Sequence, residues 1–185
     1  HDRETKIGEL NKLLCKLFPS VEGDKVTFIG STFMRYGEKT PYLNHCIVLG
    51  SCDPVEGAEI QTAETETDLL LQWRNLIQKE DPDVIIGYNI FGFDYEFMFR
   101  RAEENHCESE FLKLSRQQEE VCGKETDGQY SIENTKIVLA TGEYDLRYYA
   151  MTGRLQIDMY TYFRRDFNLA SYKLDDVASQ YISDD

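Results

Sequence analysis

The period of apolar and polar residues changes several times along this chain, and each change predicts an element. Val26 to Met34 mixes β-branched and aromatic residues with partial alternation. The polar turn Tyr36 to Thr40 follows, and His45 to Leu49 is apolar again, which together predict an antiparallel pair of strands. Asp53-Pro54-Val55-Glu56-Gly57 breaks the pattern, and a third short strand is expected near Glu59 to Thr62. From Thr67 to Glu80 the period becomes helical: Leu69, Leu70, Trp73, Leu76 and Ile77 share one face, with acidic residues at the start and Lys79 near the end, as the helix dipole favours. Asp81-Pro82-Asp83 stops that helix, and Val84 to Tyr88 is a short apolar run of the kind a buried strand shows.

A second helix is expected from about Asp94 to Glu104. Cys107 to Gln129 turns polar and irregular, which predicts loops and short helical pieces. Thr135 to Leu139 and Tyr144 to Tyr149, joined through Gly142, predict a β-hairpin, and Gly153 to Asp158 adds another strand. Met159 to Phe163 and Leu174 to Tyr181 read as closing helices, the second with Ser171 as its cap. No internal repeat or low-complexity tract interrupts this order.

Composition narrows the class without choosing it. With 185 residues and 41% hydrophobic residues, the chain suits a single globular domain. No run approaches a membrane span, and the charged start His1 to Asn11 is not a signal peptide, so a soluble protein without membrane partners is expected. The five cysteines (15, 46, 52, 107 and 122) lack C-x-x-C spacing, which suggests neither a disulfide framework nor a zinc site. A start at His1 and an end in polar Ser183-Asp184-Asp185 suggest a piece of something longer. The net charge of -14 argues against a generic nucleic-acid binder, whose phosphate contacts come from a surplus of Lys and Arg. A nuclease that recruits divalent ions through carboxylates tolerates such a charge.

The stretch DPDVIIGYNIFGFDYEFMFRRA, Asp81 to Ala102, carries the most specific signal. It resembles the second exonuclease motif of family B DNA polymerases, G-Y-N-x-x-x-F-D, here Gly87, Tyr88, Asn89, Phe93 and Asp94. GRLQIDMYTYFRRDFNLASYKLDDVA, Gly153 to Ala178, resembles the family's segment after the exonuclease hairpin, and HCIVLGSCDPVEG from His45 is similar to the polymerase delta and large-DNA-virus branches. The resemblance covers nearly the whole chain.

It implies an α/β, RNase H-like 3′-5′ exonuclease domain, a mixed sheet flanked by helices, incomplete at both ends and spanning residues 1–185. The parent would be a DNA-directed DNA polymerase of the nucleus or a viral replication compartment. Its partners would be primer-template DNA with a single-stranded 3′ end, the rest of the polymerase chain and a processivity factor. Its cofactor would be Mg2+ or Mn2+ in a two-metal site. Asp94 is the expected catalytic metal ligand, placed where a strand gives way to a helix; Asn89, Phe91 and Phe93 are the expected substrate-binding residues, the aromatics by base stacking. Taken without the motif, Asp94 reads as a helix N-cap or first-turn acid and the two aromatics as core.

The family's first motif, an Asp-x-Glu pair on the opening strand, is expected to lie outside the chain, with no counterpart between His1 and Phe18. The third, a Tyr and an Asp four positions later, is expected downstream. Tyr172 and Asp176 show that spacing but fall in the preceding Ser-Tyr-x-Leu segment, so Tyr172 and Leu174 are expected to pack a helix. Asp158 is expected to be structural, bound to backbone or to Arg154 or Arg164. Asp145, Asp166, Asp175 and Asp176 are expected in solvent. The hairpin resembles the one that passes a primer end between polymerase and exonuclease sites. With one ligand of four, the isolated chain is expected to be inactive. Two other readings stay open: a non-catalytic architectural or protein-binding module on the same scaffold, and a stand-alone nuclease.

Overall fold

The computed structural model describes residues 24–140 and 142–182. Three strands open it: β1 (Phe28–Phe33), β2 (Leu43–Leu49) and β3 (Glu59–Ala63). β1 runs antiparallel to β2, as the turn between them predicts, and β2 runs parallel to β3. Helix α1 (Glu66–Glu80) follows. Its start is set by a capping box, in which the Thr65 hydroxyl accepts from the Asp68 N–H while the Asp68 carboxylate accepts from the Thr65 N–H. Leu69, Leu70, Trp73, Leu76 and Ile77 are all buried, as their spacing requires. The helix ends where Asp81 takes a left-handed conformation at φ 48° before Pro82.

β4 (Val84–Gly87) leads through a π-helical turn (Ile90–Asp94) into α2 (Tyr95–Glu104), and α3 (Glu108–Phe111) is a single turn beyond. The expectation of irregular chain as far as Gln129 is corrected by a small hairpin, β5 (Lys124–Thr126) and β6 (Gln129–Ser131). Asp127 and Gly128, at φ 53° and 76°, form its tight turn, the conformation an Asp-Gly pair prefers. β7 (Glu133–Leu139) and β8 (Gly142–Tyr148) form the longer hairpin, in register from Glu133 opposite Tyr148 to Leu139 opposite Gly142. β9 (Leu155–Asp158), α4 (Met159–Asp166) and α5 (Leu174–Tyr181) close the described chain.

The sheet is less continuous than a single mixed sheet. β9 pairs in parallel with β4, and this pair is not hydrogen-bonded to β1–β2–β3. A cleft of about 720 Å³ separates the two, lined by Phe28 and Gly30 of β1, Ile86 and Gly87 of β4, and Phe93 and Asp94. One core joins the elements. Trp73 stacks on Phe111, Tyr95 on Tyr149 with centroids 4.4 Å apart, and the Tyr149 hydroxyl donates to the Tyr95 carbonyl at 2.6 Å. Beside it lies a buried ion pair. Arg101 donates to both oxygens of Glu66 at 2.7 and 2.6 Å, and Glu66 also accepts from the Val26 N–H and from Asn105, tying α1, α2 and the approach to β1 together.

Candidate functional site around Asp94

The site begins where β4 stops. The parallel register sets Gly87 beside Asp158, so two strand ends lie side by side. Gly87 has no room for a side chain, since a Cβ would lie 2.3 Å from Ile90 Cγ2. Asn89 then turns left-handed at φ 62°, ψ 22°, which asparagine tolerates better than most residues. Its carbonyl accepts from the Gly92 and Phe93 N–H groups at 3.1 and 3.0 Å. A Cβ at Gly92 would lie 2.3 Å from Asn89 Oδ1, so a larger residue there would require the Asn89 side chain to turn.

Asp158 locks this turn from the far end of the chain. It is buried, and one carboxylate oxygen accepts from the Asn89 N–H at 2.7 Å and the Tyr160 N–H at 3.0 Å while the other accepts from the Phe91 N–H at 3.0 Å. A carboxylate satisfies three such donors where water cannot reach them, and it caps α4 at the same time. The expected backbone role is therefore present, but the expected Arg partners are not. Arg154 is turned away to Asp81 Oδ1 at 2.8 Å and to the carbonyls of Leu114 and Pro82, and Arg164 packs on tyrosine rings.

Asp94 stands at the end of the turn, in helical conformation, and its side chain caps nothing. The expected capping bond is therefore absent, although Asp94 does stand at the start of α2, as its reading as a helix-start acid has it. Its outer side meets solvent, while the packed residues beneath it desolvate the carboxyl and raise its pKa above the ordinary Asp value; its own backbone N–H opposes this, and the Asp158 charge adds to it. Tyr95, directly beneath, is held further up by burial, with Asp158 and Asp94 contributing. Phe93 is 58% exposed and stacks on Phe97 at 5.4 Å, so the core alternative does not hold for it. Phe91 is half-buried between Tyr95 and Tyr148, where β8 meets the turn.

Tyr172 and Asp176 do not approach this turn through their side chains. The Tyr172 hydroxyl donates to the Phe167 carbonyl and accepts from the Leu169 N–H, and Asp176 accepts from Ser171. Leu174, expected to pack, is 55% exposed, and Ser171 is not the cap of α5, which begins after Lys173 without a side-chain cap. Asp145, Asp166, Asp175 and Asp176 are exposed, as expected.

Among the described residues no group of three His, Cys, Asp or Glu side chains is arranged to hold a metal ion. Asp158 is committed to backbone donors, so Asp94 alone does not form a divalent-ion site. The reading that no Asp-x-Glu spacing precedes Phe18 needs correction: Asp2-Arg3-Glu4 has it. That segment lies outside the described residues.

The chain belongs to the exonuclease domain family of family B DNA polymerases, whose model matches residues 2–177. It is 43% identical to the DNA polymerase of Phaeocystis pouchetii virus over 99% of this chain and 19% of that protein. It is 38% identical to the DNA polymerase of Pyramimonas orientalis virus (96% and 14%), and 35% to the DNA polymerase delta catalytic subunit of Bos taurus (91% and 14%). The chain thus spans under a fifth of the length of these relatives.

Proposed function

We propose that this chain is the proofreading part of a DNA-directed DNA polymerase, removing mispaired 3′ nucleotides by metal-dependent 3′-5′ exonucleolysis. The observation that carries this reading is Asp94: a carboxyl without a capping bond, raised in pKa by desolvation, at the end of a turn whose geometry Asp158 holds. Phosphodiester hydrolysis by two ions needs hard oxygen ligands on rigid supports. Asp94 supplies one such ligand for Mg2+ or Mn2+, and the others come from beyond the described residues. Asn89, Phe91 and Phe93 receive the unpaired 3′ end, with the open face of Phe93 stacking on a base. When bound, the ions would activate water and stabilise the leaving oxygen.

The fold in this reading is RNase H-like, with the cleft between β1 and β4 completed by a further strand, and the β7–β8 hairpin helps move a primer end. The partners are primer-template DNA, the remaining polymerase chain and a processivity factor, and the setting is the nucleus or a viral replication compartment. The incomplete ligand set favours one alternative, a non-catalytic module of the same fold.

Two assays separate these readings. The purified 185-residue chain, given single-stranded DNA and Mg2+, is expected not to degrade it; degradation that Asp94→Ala abolishes would refute that inactivity. A polymerase containing the chain is expected to trim a mispaired 3′ end in Mg2+, and failure to do so would leave the module reading standing.

A further inference from the structure

Arginines in this acidic chain are nearly all neutralised in place. Arg35, Arg74, Arg100, Arg101, Arg116, Arg147, Arg154 and Arg165 each have a carboxylate partner. Arg164 on α4 is the exception among the described residues. Its guanidinium carbon lies 4.3 Å from the Tyr172 ring centroid, 5.1 Å from Tyr160 and 5.8 Å from Tyr144, and its Nε is buried with no hydrogen-bond partner among the described residues. Ring faces offset part of the cost of desolvating a cation, but they do not satisfy an in-plane N–H donor such as Nε.

Arg164 lines a cavity of about 720 Å³, together with Tyr88, Asn89, Ser171, Tyr172 and Lys173. Two further features favour an anion there: Lys173 is exposed at the rim, and the first turn of α5 has no side-chain cap. Asp175 and Asp176, exposed on that same turn, work against it and limit affinity. The fork of a guanidinium fits two oxygens of a phosphate. The cavity shares Asn89 with the site at Asp94.

We propose that this cavity binds a phosphodiester group of the single strand, with Arg164 as the anion-binding residue. The inference rests on the exonuclease reading and extends it, because Asn89 joins the phosphate site to the turn that would receive the 3′ end.

The test is fluorescence anisotropy of the 185-residue chain with a labelled oligothymidylate of about twelve nucleotides, in EDTA, across a salt series. Arg164→Gln is expected to weaken binding at least about fivefold at low salt and to lower the log–log salt slope by about 0.7, one phosphate contact to a single strand. Arg164→Lys, which keeps charge but loses the fork, should fall between, and Lys173→Gln should weaken binding less. Unlabelled oligonucleotide should compete at lower concentration than inorganic phosphate; equal competition would mark a free-phosphate site and overturn the strand assignment. Unchanged affinity and slope in a folded Arg164→Gln chain, or no binding by the unaltered chain, would overturn the proposal. If Arg164→Gln does not fold, unchanged binding in both Arg164→Lys and Lys173→Gln does so. Loss of binding in the Arg164 variants, with exonuclease activity of the polymerase indifferent to Asp94→Ala, would keep the anion site and remove the exonuclease reading. The reverse pair of results would remove the anion site alone.

Discussion

Replacing Asp158 by Asn probes how the turn bearing Asp94 is held, with almost no change in side-chain volume. In the native chain one oxygen serves Asn89 and Tyr160 and the other serves Phe91. Asparagine keeps one oxygen and offers an NH2 in place of the other. If the oxygen stays with Asn89 and Tyr160, the NH2 faces the Phe91 N–H and two donors oppose each other. An unsatisfied buried donor costs about 1–3 kcal/mol, and the surviving bonds lose the charge that makes them worth about 1.5–3 kcal/mol each. Removing a negative charge near Asp94 returns a little of this. The net loss is expected at about 2–4 kcal/mol, a fall in Tm of roughly 4–16 °C for a chain of this size. Urea unfolding measures the loss, and amide hydrogen exchange locates it, with the Phe91 amide losing protection before the α1 amides do. The exposed Asp145→Asn serves as control and should change stability by less than about 0.5 kcal/mol. An Asp158→Asn chain within that same margin, with the Phe91 amide still protected, would refute the clamp.

Three other outcomes follow from the same geometry. Arg101→Ala leaves Glu66 charged and buried without its main partner and should cost about 3–5 kcal/mol in urea unfolding. Burial pushes the Glu66 pKa up, but the hydrogen bonds from Arg101, the Val26 N–H and Asn105 outweigh it and hold the group below its ordinary value; its stabilisation is therefore full above the ordinary Glu range and lost as pH falls through the lowered pKa, which a pH series of unfolding midpoints would show, and a Glu66→Gln chain should lose that acid dependence. Asp94 has the opposite sign: with its folded pKa raised, the native state holds the proton longer than the unfolded chain, so stability falls as pH rises from the ordinary Asp pKa through the raised one, and Asp94→Asn should be the more stable protein at neutral pH with the difference gone in acid.

Local patterns made much of this architecture legible. The face of α1, its stop at Asp81-Pro82, the position of β4 and the β7–β8 hairpin all rest on contacts between near neighbours or on period, which sequence displays directly; the burial expected of β4 is not met, since Val84 and Ile86 are 40% and 61% exposed beside the cleft. The β5–β6 hairpin carried its signal in Asp127-Gly128, but polar strands of three residues have no apolar period to flag them. What stayed hidden depends on distance along the chain. That Asp158 would clamp Asn89 and Phe91 follows from the β4–β9 register, which pairs residues some seventy positions apart. Arg154, just before β9, bonds Asp81 and the Leu114 and Pro82 carbonyls rather than Asp158, which is nearer in sequence, and no spacing rule reports that. Asp94 was identifiable by motif, yet its lack of a capping bond and its desolvation are properties of the packed turn.

Asp94 as an exonuclease metal ligand is tested most directly in a polymerase that contains this chain, by measuring 3′-end trimming of a mispaired primer and primer extension side by side with Asp94 intact and with Asp94→Ala. The account predicts trimming reduced at least about 100-fold, the scale set by loss of a metal-site group, with extension unchanged. Trimming that survives the substitution at its full rate would contradict it.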